Sequence, residues 1–215
     1  MSGERRQPAP VLGAILLLAF ALRVWGLTTQ SLWYDEGFSV HLAGQSWGQI
    51  LFGELNLPPL YHLVLGGWVR LAGQGEFAVR YLSVCWGLLV VALGGVLTTR
   101  LLGRRTGGFA ALFLAVSPIE VWYAQETRMY AMLGALSLVS SCLLARLLAR
   151  PAPGDGRRER GGWLAYALVN IAAVYTHYYA ALVLAAQAVW VALHVVRSGD
   201  WKAARAWLLA PVQIR

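Results

Sequence analysis

Long apolar runs separated by short polar segments dominate the sequence and predict helices that span a membrane. The first run, residues 10–27, follows Arg5 and Arg6 and has the length of a span at 1.5 Å rise per residue. A cleaved signal peptide is the competing interpretation, because Ala19-Phe20-Ala21 supplies an A-x-A pattern behind a basic start. The apolar run continues to Leu27, which favours an uncleaved first helix.

Five further runs have the apolar character of spans, at residues 77–99, 107–122, 127–148, 163–178 and 180–196. The segment 151–162 is rich in Pro, Gly and Arg and is predicted to be a cytoplasmic loop. Residues 207–214 have the pattern of another span that is just beginning, which suggests a fragment of a longer protein. The prediction is one transmembrane domain, residues 1–215, with about six full spans and no separate soluble domain.

Basic residues predict the orientation of these spans. Clusters at 100–105, 146–160 and 197–205, together with Arg5 and Arg6, should all be cytoplasmic by the positive-inside rule. An even number of crossings must then separate Arg6 from Arg100. Since 10–27 and 77–99 supply two crossings, 58–72 is expected to be a juxtamembrane or re-entrant helix, with a full span or a tight helical pair as the alternatives.

The residues between the first two spans have a mixed pattern, and they predict short amphipathic helices on the membrane surface over 28–57. The predicted topology places most acids on the extracytoplasmic side, which the positive-inside rule does not require. This enrichment suggests a functional site on that face. The acids concerned are Asp35, Glu36, Glu54, Glu76, Glu120 and Glu126.

Composition supports a membrane protein. With 58% hydrophobic residues, 13% charged residues and a mean hydropathy of +0.56, the chain is too apolar for a soluble domain. The net charge of +8 could indicate nucleic-acid binding, but the basic residues lie in short clusters between apolar runs. No nucleic-acid partner is therefore expected. Cys85 and Cys142 lie inside apolar runs and are interpreted as small buried hydrophobic residues.

The most unusual polar feature is the pair Asp35 and Glu36, directly after Trp33 and Tyr34. A carboxylate at the centre of a bilayer costs about 2.5 to 3.5 kcal/mol, so both acids should lie at an aqueous surface or in a polar cavity. They could equally be solvated loop residues or an N-terminal pair favoured by a helix dipole. The pattern alone leaves these alternatives open.

A second polar stretch, residues 117–130, is predicted at the outer turn between two spans. Pro118 should kink or end the preceding helix. If the chain is helical from Tyr123, then Tyr123, Glu126 and Tyr130 share one face, and Arg128 points elsewhere. The guanidinium of Arg128 suits a phosphate or a carboxylate, although Glu126 and Arg128 could also form a structural ion pair.

Two other arginines are given structural interpretations. Arg23 lies near the outer end of the first span and is expected to extend its side chain to the membrane surface. Glu76 and Arg80 have the i, i+4 spacing of a helical ion pair.

Several motifs together resemble the bacterial branch of the dolichyl-phosphate-mannose protein mannosyltransferase family, which are membrane glycosyltransferases of the GT-C superfamily. The resemblance extends over essentially the whole chain. Its motifs are Trp33-Tyr34-Asp35-Glu36, Pro58-Pro59-Leu60-Tyr61-His62, Ser117-Pro118 with Gln125-Glu126-Thr127-Arg128-Met129-Tyr130, and Thr176-His177-Tyr178-Tyr179.

The resemblance implies an all-α polytopic transmembrane helical bundle of the GT-C type, with juxtamembrane helices in the first extracytoplasmic loop. It also implies transfer of a hexose or pentose from a polyprenyl-phosphate lipid donor to a protein, lipid or glycan acceptor outside a bacterial inner membrane. Family members place the catalytic acid in the first external loop, which maps onto Asp35 with Glu36 beside it, and a second acid in the next, which maps onto Glu126. Family members tend to have a polar residue before the Pro-Pro pair, whereas this chain has Leu57, with Asn56 one position earlier.

The chemistry assigns a role to each candidate residue. Asp35 can take the proton of the acceptor hydroxyl as general base, and Arg128 can stabilise the departing lipid phosphate. Tyr61, Tyr130 and Tyr178 are also expected to bind substrate, and His62 and His177 are expected to line the substrate site.

No nucleotide cofactor is expected, since the chain has no Gly-rich phosphate loop, and a divalent cation between Asp35 and Glu126 is compatible with their oxygen ligands. The alternative functions are a membrane transporter or lipid flippase and a non-catalytic membrane scaffold. A transporter needs ionisable groups near the midplane of several spans, and residues 81–99, 131–145 and 163–176 have none.

Overall fold

A computed structural model describes residues 9–53, 57–149, 156–199 and 201–209, and all regular secondary structure within them is helical. Eleven helices follow one another in the described residues. They are α1 (Ala9–Val24), α2 (Tyr34–Ala43), α3 (Trp47–Phe52), α4 (Leu60–Ala72), α5 (Glu76–Leu102), α6 (Arg104–Val116), α7 (Pro118–Ala124), α8 (Tyr130–Leu148), α9 (Gly156–Thr176), α10 (Ala180–Ser198) and α11 (Trp201–Leu209).

Three helices, α5, α8 and α10, are long and apolar enough to cross a membrane, and α6 with α7 qualifies as one span bent by 59°. The prediction that Pro118 breaks this span is confirmed, because α6 ends at Val116 and α7 begins at Pro118 itself. The helix α1 is apolar but shorter, and α9 is not among the helices long and apolar enough to cross. The predicted spans at 10–27 and 163–178 therefore remain predictions.

The segment between α1 and α5 forms three short helices, α2, α3 and α4, in agreement with the short helices predicted there. At 13 residues, α4 is not among the helices long and apolar enough to cross a membrane, and the juxtamembrane or re-entrant place of 58–72 stays a prediction. Residues 151–162 are not entirely a loop, because α9 already begins at Gly156 and its first turns contain Arg and Glu, which are good helix formers. Glu54, Asn56, 151–155 and 210–214 lie outside the described residues.

The long helix α5 lies at the centre of the bundle and packs against α1, α4, α6, α7 and α8. Apolar side chains form separate cores along it. Tyr61, Leu65 and Val79 belong to the core beneath α2 and α4, whereas Ile15 and Val91 belong to the core between α1, α5 and α6. The first core supports the surface on which the acidic α2 lies.

An arginine of α1 satisfies backbone carbonyl groups at the end of α6. Arg23 of α1 is fully buried, and its guanidinium donates to the carbonyl oxygens of Leu114 and Ala115, at 3.0 Å each. These carbonyls at the end of α6 have no helical donor of their own, since Pro118 interrupts the chain of backbone N–H groups. The expectation that Arg23 extends to the membrane surface is therefore wrong.

Gln125 completes this arrangement from the segment after α7. Its side-chain amide donates to the carbonyl oxygens of Leu22, Arg23 and Trp25, at 3.3, 3.2 and 2.8 Å. The end of α1 is thereby joined to the stretch 125–128, which also lines the candidate site described below.

The α5–α6 turn brings two backbones into contact. A Cβ placed on Gly107 would lie 2.8 Å from the carbonyl oxygen of Gly95 and 2.9 Å from the Thr99 Cα, and it would also overlap the Thr99 hydroxyl. Backbone atoms cannot move aside as a flexible side chain can, so only glycine fits at this position.

We expect Gly107→Ala to lower the free energy of unfolding by about 1 to 3 kcal/mol, as overpacking does. Thermal unfolding of the purified protein in detergent measures this. Gly13→Ala is the matched control, because no atom lies within 4 Å of its added Cβ, and it should be neutral or stabilising. Equal effects of the two substitutions would contradict the close packing of α5 on α6.

Candidate functional site

A cleft of about 550 Å³ opens where the end of α1, the start of α2 and the 122–130 stretch meet. Its charged lining residues are Glu36, Arg80, Glu126 and Arg128, and its aromatic ones are Trp33, Trp122, Tyr123 and Tyr130. The two acidic stretches singled out in the sequence therefore come together in three dimensions, although about 90 residues of chain separate Glu36 from Thr127.

Glu36 and Arg80 form a buried bidentate ion pair beside the cleft. The Nε of Arg80 donates to Oε1 of Glu36 at 2.9 Å, and Nη2 donates to Oε2 at 2.6 Å. Their side chains are only 1% and 7% exposed, respectively. The partner predicted for Arg80, Glu76 at i−4, contributes only longer-range attraction, because the bidentate contact is made to Glu36.

The remaining donors of Arg80 bind the chain that leaves α1. Nη1 donates to the carbonyl oxygens of Leu27 and Gln30, at 2.8 and 2.7 Å, and Nη2 also reaches that of Ser31 at 3.3 Å. All five guanidinium N–H donors are thus used. One side chain of α5 fixes the 27–31 segment and the start of α2 together.

The other hydrogen bonds to Glu36 connect α2 with the second acidic stretch. Its Oε1 accepts the Thr127 backbone N–H at 2.8 Å, and its Oε2 accepts the Trp33 N–H at 3.4 Å. Burial by itself would raise the pKa of Glu36, but the hydrogen bonds from Arg80 and these N–H groups hold the pKa below its usual value. Glu36 is therefore a charged anchor of the site.

Asp35 has a different environment from its neighbour. Its Oδ2 lies 3.3 Å from Nη1 of Arg128, and its side chain is 38% exposed. Nη1 of Arg128 also donates to the Asp35 carbonyl oxygen at 3.3 Å. Asp35 does not line the cleft itself, but its carboxylate contacts Arg128, which does line the cleft.

Glu126 supplies the second carboxylate of the cleft. Burial raises the pKa of Glu126, the hydrogen bond with Trp122 opposes this, and repulsion from Glu36 adds to it. Residues 125–128 form a bend after α7, so Tyr123, Glu126 and Tyr130 do not share a helix face as predicted. This bend lies between the end of α7 at Ala124 and the start of α8 at Tyr130.

A row of aromatic rings leads from the cleft to the α9–α10 turn. The rings of Tyr123 and Tyr130 lie 4.8 Å apart, and that of His177 lies 5.7 Å from Tyr130. The Arg128 guanidinium carbon lies 5.8 Å from the centre of the Tyr130 ring. Tyr178 is 58% exposed and lies outside the cleft lining, at the outer end of this row.

Tyr61 and His62 lie in the core next to the cleft and are not lining residues. Tyr61 is fully buried, and His62 is 2% exposed. Burial raises the pKa of Tyr61, and burial together with the nearby charge of Arg128 lowers the pKa of His62 to about 4. Both side chains are therefore neutral at physiological pH, and their role in substrate contact stays a prediction.

A divalent cation between Asp35 and Glu126 would need several oxygen ligands that converge on one point. No group of three or more His, Cys, Asp and Glu side chains converges anywhere in the described residues. Arg128 contacts Asp35, and Arg80 with two backbone N–H groups takes up the Glu36 oxygens. These residues do not fit a metal cage.

Sequence reasoning found Asp35, Glu36, Glu126 and Arg128, but it did not find Arg80 or Gln125 as parts of this site. The sequence did indicate that Arg80 needs a partner, because it is a charged residue in the first turns of an apolar helix. Spacing along one helix indicated Glu76, and only the tertiary structure shows that Glu36 is the closer carboxylate.

The arrangement of helices resembles solved structures of ArnT from Cupriavidus metallidurans. The structure with bound undecaprenyl phosphate aligns with a TM-score of 0.69 and 20% sequence identity, covering 97% of this chain and 40% of the ArnT chain. The apo structure gives 0.68 and 20%, covering 94% and 38%. This chain thus spans about 40% of the length of ArnT, and the likeness establishes the GT-C fold.

The model of the dolichyl-phosphate-mannose-protein mannosyltransferase family matches residues 56–214, and the chain belongs to this family. The resemblance inferred from the motifs and the predicted fold class are both confirmed. The matched range contains Glu126 and Arg128 but begins after Asp35 and Glu36. A comparison with curated protein sequences gave no match.

We expect Arg80→Gln to lower the free energy of unfolding by about 3 to 5 kcal/mol, because it leaves the Glu36 carboxylate buried without its partner. The double variant Arg80→Gln with Glu36→Gln should lose less than the sum of the single variants, and chemical denaturation in detergent measures this coupling.

Glu76→Gln is the control for this pair, since it removes the carboxylate that sequence spacing assigned to Arg80. Its effect should stay within about 0.5 kcal/mol. A loss with Glu76→Gln as large as with Glu36→Gln would show that Glu36 is not the partner that matters.

Proposed function

We propose that the full-length protein is a membrane glycosyltransferase that moves a sugar from a polyprenyl-phosphate carrier to an acceptor hydroxyl at this cleft. The observation that carries the proposal is the meeting of Asp35 and Arg128, an acid and a cation from distant parts of the chain, beside a cavity that also holds Glu126. Family membership and the undecaprenyl phosphate bound to ArnT support a lipid-linked donor.

Arg128 is the proposed binding group for the carrier phosphate. Its Nη1 contacts Asp35, and the rest of the guanidinium makes no hydrogen bond with the described residues. As the bond between the anomeric carbon and the phosphate oxygen breaks, negative charge grows on the departing phosphate. A fixed cation then stabilises the transition state more than the ground state.

Asp35 is the proposed general base. The acceptor oxygen forms a bond to the anomeric carbon while its proton passes to the carboxylate, so the departing lipid phosphate keeps the electron pair of the broken bond. Arg128, which lines the cleft, lies 3.3 Å from this carboxylate. Glu126 is the rival base, since its raised pKa makes it a better proton acceptor than an ordinary carboxylate.

Glu36 is assigned a positioning role in place of the catalytic role that its motif implied. Both of its oxygens are taken up by Arg80 and by two backbone N–H groups, and the side chain is 1% exposed. It cannot reach a substrate without breaking these contacts. Its function is to bring the 126–128 stretch to the start of α2.

The proposed location is a bacterial inner membrane, with the N-terminus cytoplasmic and the cleft extracytoplasmic. The support is the distribution of charge along the sequence, because predicted spans separate the basic clusters from the stretches that carry the cleft acids. The transferred sugar is proposed to be a hexose or a pentose, and the acceptor is a protein, lipid or glycan.

The direct test incubates membranes containing the full-length protein with radiolabelled polyprenyl-phosphate sugars and measures label in protein, lipid and glycan fractions. Label in one acceptor fraction supports the proposal. Movement of intact labelled carrier across the membrane without transfer would indicate a flippase. Absence of both activities, with an unchanged Asp35→Asn phenotype in cells, would indicate a scaffold.

We expect Asp35→Asn to reduce kcat for sugar transfer by at least about 100-fold, as loss of a general base does, with expression and membrane insertion unchanged. Glu126→Gln, assayed in parallel, distinguishes the two candidate bases. Glu76→Gln serves as an acid-to-amide control that should retain activity. Normal transfer by Asp35→Asn would eliminate Asp35 as the base.

We expect Arg128→Gln to lower kcat by about 100-fold to 1,000-fold, the usual effect of removing a group that stabilises developing negative charge. Arg128→Lys should recover only part of the activity, because an ammonium lacks the planar fork that binds phosphate oxygens in pairs. Initial rates at saturating donor measure both. Full activity of Arg128→Gln would show that the phosphate binds elsewhere.

A further inference from the structure

A second cavity lies at the end of the bundle opposite the cleft, between the first turns of α1 and α6. It has a volume of about 650 Å³ and is called the basic groove here. Its lining side chains are Val11, Ile15, Arg104, Arg105, Phe109 and Leu112. It shares no residue with the cleft and has no place in the proposed sugar transfer.

The wall of the basic groove is apolar and faces outward. Val11, Phe109 and Leu112 are 46%, 74% and 40% exposed, and α1 and α6 belong to a membrane bundle. Each fully buried side chain of this kind is worth about 1.5 to 3 kcal/mol relative to its exposure in water, so this wall favours an apolar covering. Acyl chains of the surrounding bilayer supply such a covering.

The mouth of the basic groove is cationic. Arg104 and Arg105 are the first two residues of α6, directly after the tight turn at Gly103. No acid is among the lining residues, and the two acids that line the cleft, Glu36 and Glu126, lie at the other end of the bundle.

We propose that the basic groove binds an anionic phospholipid, with the lipid phosphate at Arg104 and Arg105 and an acyl chain along Val11, Phe109 and Leu112. Basic pockets between spanning helices are suited to anionic lipids. The charged lipid headgroups lie at the membrane surface, and the acyl chains lie directly beneath them. Inorganic phosphate would use the arginines alone, and a neutral lipid would use the wall alone. An anionic phospholipid uses both.

The test is native mass spectrometry of the full-length protein, stripped of lipid in detergent and titrated with phosphatidylglycerol or phosphatidylcholine. Wild-type protein should retain phosphatidylglycerol in preference to phosphatidylcholine. The double variant Arg104→Gln with Arg105→Gln should bind phosphatidylglycerol about thirtyfold more weakly, given the contribution of two basic residues near an anionic surface. The double lysine variant keeps the charge and should retain the preference.

Arg197→Gln is the matched control, because Arg197 is an exposed arginine in the last turn of α10, at the same end of the bundle. It should leave binding unchanged. An equal loss in Arg197→Gln, no preference in wild-type protein, or binding that survives the glutamine double variant would each overturn the proposal. Glycerol phosphate that competes as well as phosphatidylglycerol would also overturn it, since the apolar wall would then contribute nothing. Sugar transfer is not measured, so the outcome is independent of the proposed function.

Discussion

The candidate site depends on the ion pair between Glu36 and Arg80. A buried ion pair contributes little net stability on average, because desolvation offsets most of the attraction, but breaking one partner away is costly. Here the hydrogen bonds of the pair reach three parts of the chain, which are the 27–31 segment, the start of α2 and Thr127. The pair therefore determines where the 27–31 segment, the start of α2 and the 126–128 stretch lie relative to α5.

The contact between Asp35 and Arg128 follows from that arrangement. Neighbouring residues in a helix project about 100° apart, so when Glu36 points into the core its neighbour must point away from it. Asp35 is consequently left half-exposed, within 3.3 Å of the cation that follows Thr127. Two identical charges next to each other in sequence thus have different surroundings, one buried in an ion pair and the other half-exposed beside Arg128.

The broken span from α6 to α7 has a comparable effect on the other side of the cleft. Pro118 ends α6, and the Arg23 guanidinium donates hydrogen bonds to the carbonyl groups left without helical partners there. The side-chain amide of Gln125 donates in the same way to carbonyl groups at the end of α1. The bend leaves residues 125–128 outside any helix, where their backbone is free to bond with side chains such as Glu36. An uninterrupted span would have used these N–H groups internally, and the cleft would have lost one wall.

The sequence by itself determined the membrane character of the chain, the positions of α5, α8 and α10, the break at Pro118 and the family. These features depend on local composition and on the spacing of residues, which do not depend on tertiary contacts. It also identified the acids and Arg128, since charges beside apolar runs stand out. Only the tertiary structure decided that Arg80 binds Glu36 and not Glu76, that Arg23 is buried, and that Asp35 meets Arg128. Such pairings join residues 44 to 93 positions apart. These pairings depend on which buried donors and acceptors the packed helices bring together. The spacing of residues along a single helix does not indicate such partners.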